Sequence, residues 1–519
     1  MKPAKILWLL LGALVLALSA TSASIAAPAT TNDIANAAAD TTGQSETARH
    51  RADRPGLVHA IPGKNPRLLA RAAGTLLPRP EDGGADPFGT GYTAPSKAHC
   101  AAHVCVHWVS STNDAPPLED FDANGVPDQV ELVAATAEEV WATVVGSWGF
   151  RSPKSDLSTP KHGPDGRLDI YLADIGTSLY GYTATDDPNA SVNSGYLYWD
   201  VSTYLVLDDD YSPAQFGDDR TPLELLQVSV AHEFFHAVQA AYDFWEDPWL
   251  LEGQATAVED ELFDDVNDLY VYLGASPLAQ PDVPLDIFAP DHPEFRLHPY
   301  GTWIYWRYLA ERFGGFPAVV RAVWEHADGA PGGPDDYSLV AIDRALTELG
   351  SSFRGAFRDF AAAATAPTNF FEEGASYLPV EPDAAFTLST TKRGTGTRTG
   401  IRDHLASAYV SIAPGKGVRA DAKLRLQLTL PPPDAGTEVA IVIRSKNGSV
   451  RTVPVRLPNN GRATLVVARF GRMEELMLVL SNASTRTECW SDQSLPAYSC
   501  FGIPEDDEGS YTFKASLVT

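Results

Sequence analysis

Thr221-Pro-Leu-Glu-Leu-Leu-Gln-Val-Ser-Val-Ala-His232-Glu233-Phe-Phe-His236-Ala-Val-Gln-Ala-Ala-Tyr242 is followed closely by Trp249-Leu-Leu-Glu252-Gly-Gln-Ala255-Thr-Ala-Val-Glu259. Thr221 and Glu224 have capping-box spacing, and Pro222 stands at the first helical position, so a helix starts here and runs to about Tyr242. A second helix begins near Trp249, and a third spans Tyr300 to Phe313 and stops at Gly314-Gly315.

His232 and His236 are four residues apart, so both imidazoles leave one helix face about a turn apart. That spacing suits two neutral imidazoles on one Zn²⁺. Glu233 beside the first His is placed to take a proton from an activated water rather than to bind metal. A catalytic zinc takes three protein ligands and keeps one position open. The next helix supplies Glu252 as the third, and small Ala255 on the same face lets the two helices approach. Glu259, two turns beyond Glu252, is expected to accept the N–H of a zinc-bound imidazole and fix its tautomer.

Outward from this core the chain changes texture. Lys2 and Lys5 precede an apolar run from Ile6 to Leu18, and Ser24-Ile25-Ala26 offers small residues for cleavage, so residues 1–26 read as a signal peptide. Export, and no membrane association once that segment is removed, follow as expectations. Residues 27–95 lack a sustained period and read as a linker or propeptide. From Cys100, strands are expected at Val104 to Ser110 and Leu168 to Ala173, with one or two more between Ser194 and Leu207. A helix is expected from about Val130 to Val145, and further helices reach about Thr365. Cys100 with Cys105 and Cys489 with Cys500 form two close pairs, and local pairing is the simplest of the possible connectivities. From residue 385 to 519, runs such as Leu424-Arg-Leu-Gln-Leu-Thr-Leu and Val439-Ala-Ile-Val-Ile alternate with Pro, Gly and Asn clusters, the pattern of an antiparallel β-sandwich. A glycan or a protein is the expected kind of ligand for that sandwich.

Asp120-Phe-Asp122-Ala-Asn124-Gly125-Val126-Pro127-Asp128-Gln-Val-Glu131 has EF-hand spacing. Side chains of Asp120, Asp122, Asn124, Asp128 and Glu131 and the carbonyl of Val126 would hold a structural Ca²⁺, in a strand-loop-helix setting. The net charge of −28 repels phosphate backbones and anionic lipid, which argues against nucleic acid as a partner.

The pair HEFFH and WLLEGQATAVE resembles the gluzincin peptidases, in which a glutamate ligand follows HExxH in an ExxA or ExxxD setting. Asp120 to Asp128, Gly166-Arg-Leu-Asp-Ile-Tyr-Leu-Ala-Asp174, Ala231 to Gln239 and Tyr300-Gly-Thr-Trp-Ile-Tyr-Trp306 are similar to a group of secreted bacterial metalloproteases. The resemblance covers roughly residues 100 to 370. It implies an α+β chain with a zincin-like domain over residues 96–375, a small sheet plus a helical lobe, ahead of the sandwich. It also implies a protein or peptide substrate, and a tyrosine assisting the oxyanion, for which Tyr300 is the first candidate and His298 the second. The aminopeptidase form E-G-x-A-x-x-x-E matches Glu252 to Glu259, but the G-x-M-E-N exopeptidase signature is missing and the methionines are Met1, Met473 and Met477. An endopeptidase is therefore the first expectation. A zinc aminopeptidase and a catalytically inactive surface- or matrix-binding protein are the alternatives.

Overall fold

The computed structural model describes residues 76–518 apart from 84–87, 161–162, 164, 178, 192–193 and 492–495. The expected signal peptide, and residues 27–75 of the expected linker, lie outside the described residues. The chain is α+β. A mixed sheet carries the N-terminal part, in the order β1-β2-β3-β5-β4, from strands β1 (Ser96–Cys100), β2 (Val104–Val109), β3 (Leu168–Ala173), β4 (Gly181–Ala184) and β5 (Tyr204–Asp208). β2, β3 and β5 run parallel and are buried at every position, which is why they read as unbroken apolar runs. β1 and β2 form a hairpin in which Cys100 faces Cys105 and is disulfide-bonded to it. Cys489 and Cys500 form the other expected disulfide.

Helix α1 (Asp128–Trp141) packs against β2 and against the long central helix, and a short α2 (Pro213–Phe216) precedes that helix. The central helix, α3 (Pro222–Asp243), starts on the expected capping box: Thr221 Oγ1 accepts from the Glu224 N–H, and the Glu224 carboxylate accepts from the Thr221 N–H. It is buried around almost its whole circumference, as a helix in the centre of a core must be. α4 (Pro248–Leu262) packs on α3.

The expected third helix is two pieces, α5 (His298–Gly301) and α6 (Trp303–Arg312). At the break, the Thr302 hydroxyl donates to the Pro299 carbonyl at 2.6 Å, a local bond that competes with continued helix. Close packing supports the corner. A Cβ at Gly301 would sit 2.7 Å from the Ala275 carbonyl oxygen, and one at Gly253 would sit 2.1 Å from Thr302 Oγ1. α7 (Phe316–His326), α8 (Leu339–Glu348) and α9 (Phe353–Ala363) complete the lobe.

Two sheets follow. One has the order β11-β10-β13-β8-β6 and the other β12-β9-β16-β7, from β6 (Ala384–Leu388), β7 (Gly394–Arg402), β8 (Ala406–Pro414), β9 (Lys423–Thr429), β10 (Thr437–Ser445), β11 (Val450–Pro454), β12 (Arg462–Val467), β13 (Met473–Asn482) and β16 (Gly509–Val518). A two-stranded ribbon, β14 (Thr487–Glu488) with β15 (Ile503–Pro504), lies between the last two. Leucines of β9 and apolar residues of β8, β10 and β13 meet in one core, so the pair of sheets is a sandwich. It is not purely antiparallel. β6 pairs parallel with β8, because the strand between them, β7, belongs to the opposite sheet and carries the chain across and back.

The sheet containing β10 and β13 is buried on both faces. Val439, Ile441 and Ile443 face the sandwich core, while Ala440 and Val442 join the core of the helical lobe. α9 covers that second face, where Arg354 and Arg358 each meet Glu438 at 3.2 Å.

The domain also begins earlier than residue 96. Leu77 and Arg79 are buried, and Arg79 reaches Asp156 at 2.6 Å, Asp186 at 3.0 Å and Asp169. Three carboxylates from separate segments neutralise one buried guanidinium and tie this segment to the sheet. Residues 194–203 contain no strand, and a short one, β4, forms at residues 181–184 instead.

Candidate metal centre

His232 and His236 leave α3 toward α4, with ring centroids 4.7 Å apart. Each ring is held by its Nδ1. His232 Nδ1 lies 2.8 Å from Glu259 Oε1, the contact expected from spacing, and His236 Nδ1 lies 2.7 Å from Gln239 Oε1. An Nδ1–H donated to each acceptor is the tautomer in which both Nε2 lone pairs could meet an ion.

Those two Nε2 atoms converge on Glu252. Its Oε2 lies 3.4 Å from His232 Nε2 and 3.5 Å from His236 Nε2. A cation held tetrahedrally at about 2.0–2.1 Å from such donors sets them about 3.3–3.4 Å apart. The donor set and its separations therefore fit a zinc-sized ion. Electrostatics agree. Burial, the largest influence, works against a charged His236, but Glu252, Glu233 and Gln239 together outweigh it and raise that pKa. Burial, followed by Asp268, Asp260, Glu233 and Glu252, pushes Glu259 well above the ordinary carboxylate range. Three buried carboxylates around two imidazoles make an excess of negative charge that a divalent cation offsets.

Glu233 is buried beside the ligands, and Thr183 of β4 fixes it: the hydroxyl lies 2.8 Å from both Glu233 Oε2 and the Glu233 carbonyl. β4 can lie this close because Gly181 has no side chain; a Cβ there would meet Leu207 Cδ2 at 2.9 Å and Glu233 Cγ at 3.2 Å. Gly181, Thr183 and Gln239 are absent from the sequence-derived set. Gln239 carried a signal, since it lies three residues past His236 on the same face.

Tyr300 stacks near His232, with ring centroids 6.2 Å apart, and is buried. Burial, then Glu252, raises its pKa well above the ordinary value, so its hydroxyl stays a proton donor. His298 is turned elsewhere. Its Nδ1 lies 2.9 Å from the Ala275 carbonyl, and burial lowers its pKa to about 4. That neutral ring braces a backbone corner.

Asp120, Asp122 and Asp128 bring carboxylate oxygens within 4.8 Å of one another on the surface. The Asp120 carboxylate accepts the Gly125 N–H at 2.8 Å and the Asn124 N–H at 3.1 Å, and Gly125 takes a φ of 89°. The Asn124 side-chain amide donates to Glu131 at 2.7 Å, and Val126 donates its N–H to Asn124 Oδ1 at 2.8 Å. α1 follows the loop as expected. No strand abuts it, since β2 ends at Val109 and an irregular stretch leads to Asp120.

No helix among the described residues is long and apolar enough to cross a membrane. No protein-family model matches the chain. No curated protein matches it. Among solved structures, the pre-peptidase C-terminal domain of collagenase from Bacillus anthracis is similar at 11% identity, over 27% of this chain and 97% of that one, with a TM-score of 0.15. A family GH115 4-O-methyl-alpha-glucuronidase with specificity for decorated arabinogalactans is similar at 9% identity, over 60% of this chain and 46% of that one, with a TM-score of 0.14. At such TM-scores neither likeness bears on fold or chemistry, and function has to be argued from the side chains.

Proposed function

We propose that the chain is a secreted zinc-dependent endopeptidase of gluzincin type, with His232, His236 and Glu252 as ligands in a zincin-like domain and Glu233 as general base. The observation that carries this reading is the convergence of both Nε2 atoms on Glu252 Oε2, at 3.4 and 3.5 Å. A zinc ion bound there would polarise a scissile carbonyl and lower the pKa of a water. Glu233 takes the proton from the attacking water and returns it to the leaving amine nitrogen. Thr183 keeps one Glu233 oxygen hydrogen-bonded, which fixes the rotamer of the base. Tyr300 donates its hydroxyl to the oxyanion. Glu259 and Gln239 orient the two imidazoles. The loop at 120–131 takes a structural Ca²⁺, and the two disulfides suit an oxidising exterior.

The test is metal content together with cleavage of a peptide library, wild type beside Glu233→Gln. Wild type is expected to hold one zinc and to cut within peptides. The variant is expected to keep its zinc and to lose about 10²–10⁴-fold in rate. Zinc in both proteins with cleavage by neither, repeated after removal of residues 27–75, would leave a binding protein. Cleavage confined to free N-termini would make it an aminopeptidase. Absence of zinc from both would end the proposal.

A further inference from the structure

The two outer faces of the sandwich have different surroundings. α9 covers the sheet of β10 and β13, whereas β9 and β12 of the other sheet alternate inward-facing with exposed residues, so that sheet turns its outer face to solvent. Register shows which side chains share the open face. Gln427 of β9 stands opposite Thr464 of β12 and Lys514 of β16, and Lys514 stands opposite Thr397 of β7. Steps of two residues from this row put Lys423, Arg425, Arg462 and Lys514, all exposed, on the one surface. The other outward positions are Thr, Ser and Gln, with Val466, Val518 and Ile401 at the margins. None of the strands β7, β9, β12 and β16 contains an Asp or a Glu.

Charge sets this face apart from the rest of the molecule. Residues 384–519 hold 17 Lys and Arg against 12 Asp and Glu, whereas the remainder of the chain holds 22 against 55. The net charge of −28 therefore joins a strongly acidic body to a basic sandwich. Among the described residues, none of the four cations on the face makes an ion pair, unlike Arg402, Arg419 and Arg486. The face also runs into a concavity. Beside Lys423 and Val518, a cleft of about 320 Å³ opens between the segment ahead of β7 and the loop ahead of β9, and Arg393 and Arg419 line it. Asp421, the carboxylate in that lining, is held by Arg419 at 3.0 Å.

We propose that this face binds an acidic polysaccharide, a chain of sugars bearing carboxylate or sulfate groups. Arg425 and Lys514 sit diagonally on neighbouring strands, about 7–8 Å apart, and Lys423 lies about 7 Å from Arg425 along β9. Cations at such intervals meet successive anionic groups, while the Thr, Ser and Gln between them exchange hydrogen bonds with sugar hydroxyls. Single contacts between exposed charges are weak, so affinity comes from engaging several along one polymer. Other polyanions fit less well. The aromatic residues of β16, Tyr511 and Phe513, belong to the core, so the face offers nothing on which a nucleic-acid base can stack and no apolar wedge for a bilayer. A bilayer or a duplex is also broad enough to meet the acidic body, which repels it, whereas a single sugar chain lies along the sheet alone. Such binding would hold the protein on an acidic matrix, and it does not depend on the zinc reading.

The experiment titrates the full chain with polygalacturonate and dextran sulfate, and with neutral dextran and single-stranded DNA beside them. Wild type is expected to bind at least one of the two acidic polymers, the tighter of which names the anionic group. Affinity should fall about tenfold or more from about 50 to about 200 mM salt. Arg425→Gln with Lys514→Gln should weaken binding about fivefold or more and, both side chains being exposed, leave Tm within about 2 °C. Lys446→Gln with Arg451→Gln removes the same charge from the β10–β11 hairpin of the other sheet and should weaken binding less than about twofold. Gln427→Glu leaves every cation in place but puts a carboxylate between Arg425 and Lys514, and it too should weaken binding. The proposal is overturned if neither acidic polymer binds, if neutral dextran binds as tightly, or if DNA binds more tightly than both. Equal losses in the two double variants, or unchanged affinity in Gln427→Glu, would overturn it as well.

Discussion

His232, His236 and Glu252 stand on two packed helices, whereas Asp120, Asp122 and Asp128 stand on an exposed turn, and the two donor sets are held in place by different means. In the first, side chains position side chains: Glu259 and Gln239 grip the imidazoles, Thr183 grips Glu233, and the helices are locked by core packing. In the second, the backbone does the work, with N–H groups of Asn124 and Gly125 folded onto Asp120. A site of the first kind is preorganised, so its ion adds chemistry to a structure that already exists. A site of the second kind gathers exposed carboxylates that repel one another, so its ion supplies order and stability.

The largest effect expected, beyond that of Glu233, falls on the preorganised site. Tyr300→Phe removes one hydroxyl and leaves the ring stacked near His232. If that hydroxyl stabilises the oxyanion, kcat should fall about 10²-fold with KM and zinc content little changed. Steady-state kinetics with metal analysis decides it. Full activity would reduce Tyr300 to a packing residue.

Next in size is the grip on the imidazoles. Glu259→Gln keeps an acceptor for His232 and loses its charge, while Glu259→Ala loses both. Zinc affinity should weaken about tenfold for the first and about a hundredfold for the second. Competition with a chelator of known affinity measures this, and Asp122→Asn, on the exposed loop, should leave zinc affinity unchanged. An equal loss in Asp122→Asn would mean that the two sites are coupled and that the contrast between them fails.

How much of this could be read in the sequence followed the same division. The helix start at Thr221, the paired imidazoles, Glu252 and Glu259 are legible because each depends on a periodicity within one segment, and the structure brings all four side chains together. Gly181 and Thr183 are not legible. β4 has four residues, all buried, so it shows no alternation, and its contact with Glu233 comes from folding across 50 positions. Arg79 sits in a stretch whose composition reads as linker, and its acceptors lie 77 to 107 residues away. In the sandwich, β9 alternates because one face meets solvent, whereas β10 and β13 read as continuous runs because the helical lobe covers their second face. The runs announced strands, but what would bury the extra side chains lay in another part of the chain.

The smallest effect expected belongs to the exposed loop. Calcium removal acts on the whole chain, so the loop is isolated by comparison with Asp122→Asn. Asp122 faces solvent, and its carboxylate holds the Asn124 N–H at 3.0 Å and the Asn124 amide at 3.0 Å. Asn at this position keeps an acceptor but weakens the ion, so the variant should lose part of the calcium-dependent gain in Tm, about 2–4 °C, while in chelator it melts with the wild type. Peptidase activity well below the melting transition should be equal in the two proteins, since the loop shares no hydrogen bond with α3 or α4. Thermal melts in calcium and in chelator, run beside the activity assay, separate the possibilities. A Tm loss that persists in chelator would assign the loop's order to its own hydrogen bonds. A fall in activity at low temperature would mean that order in the loop reaches Glu233 through α1, which packs directly against α3.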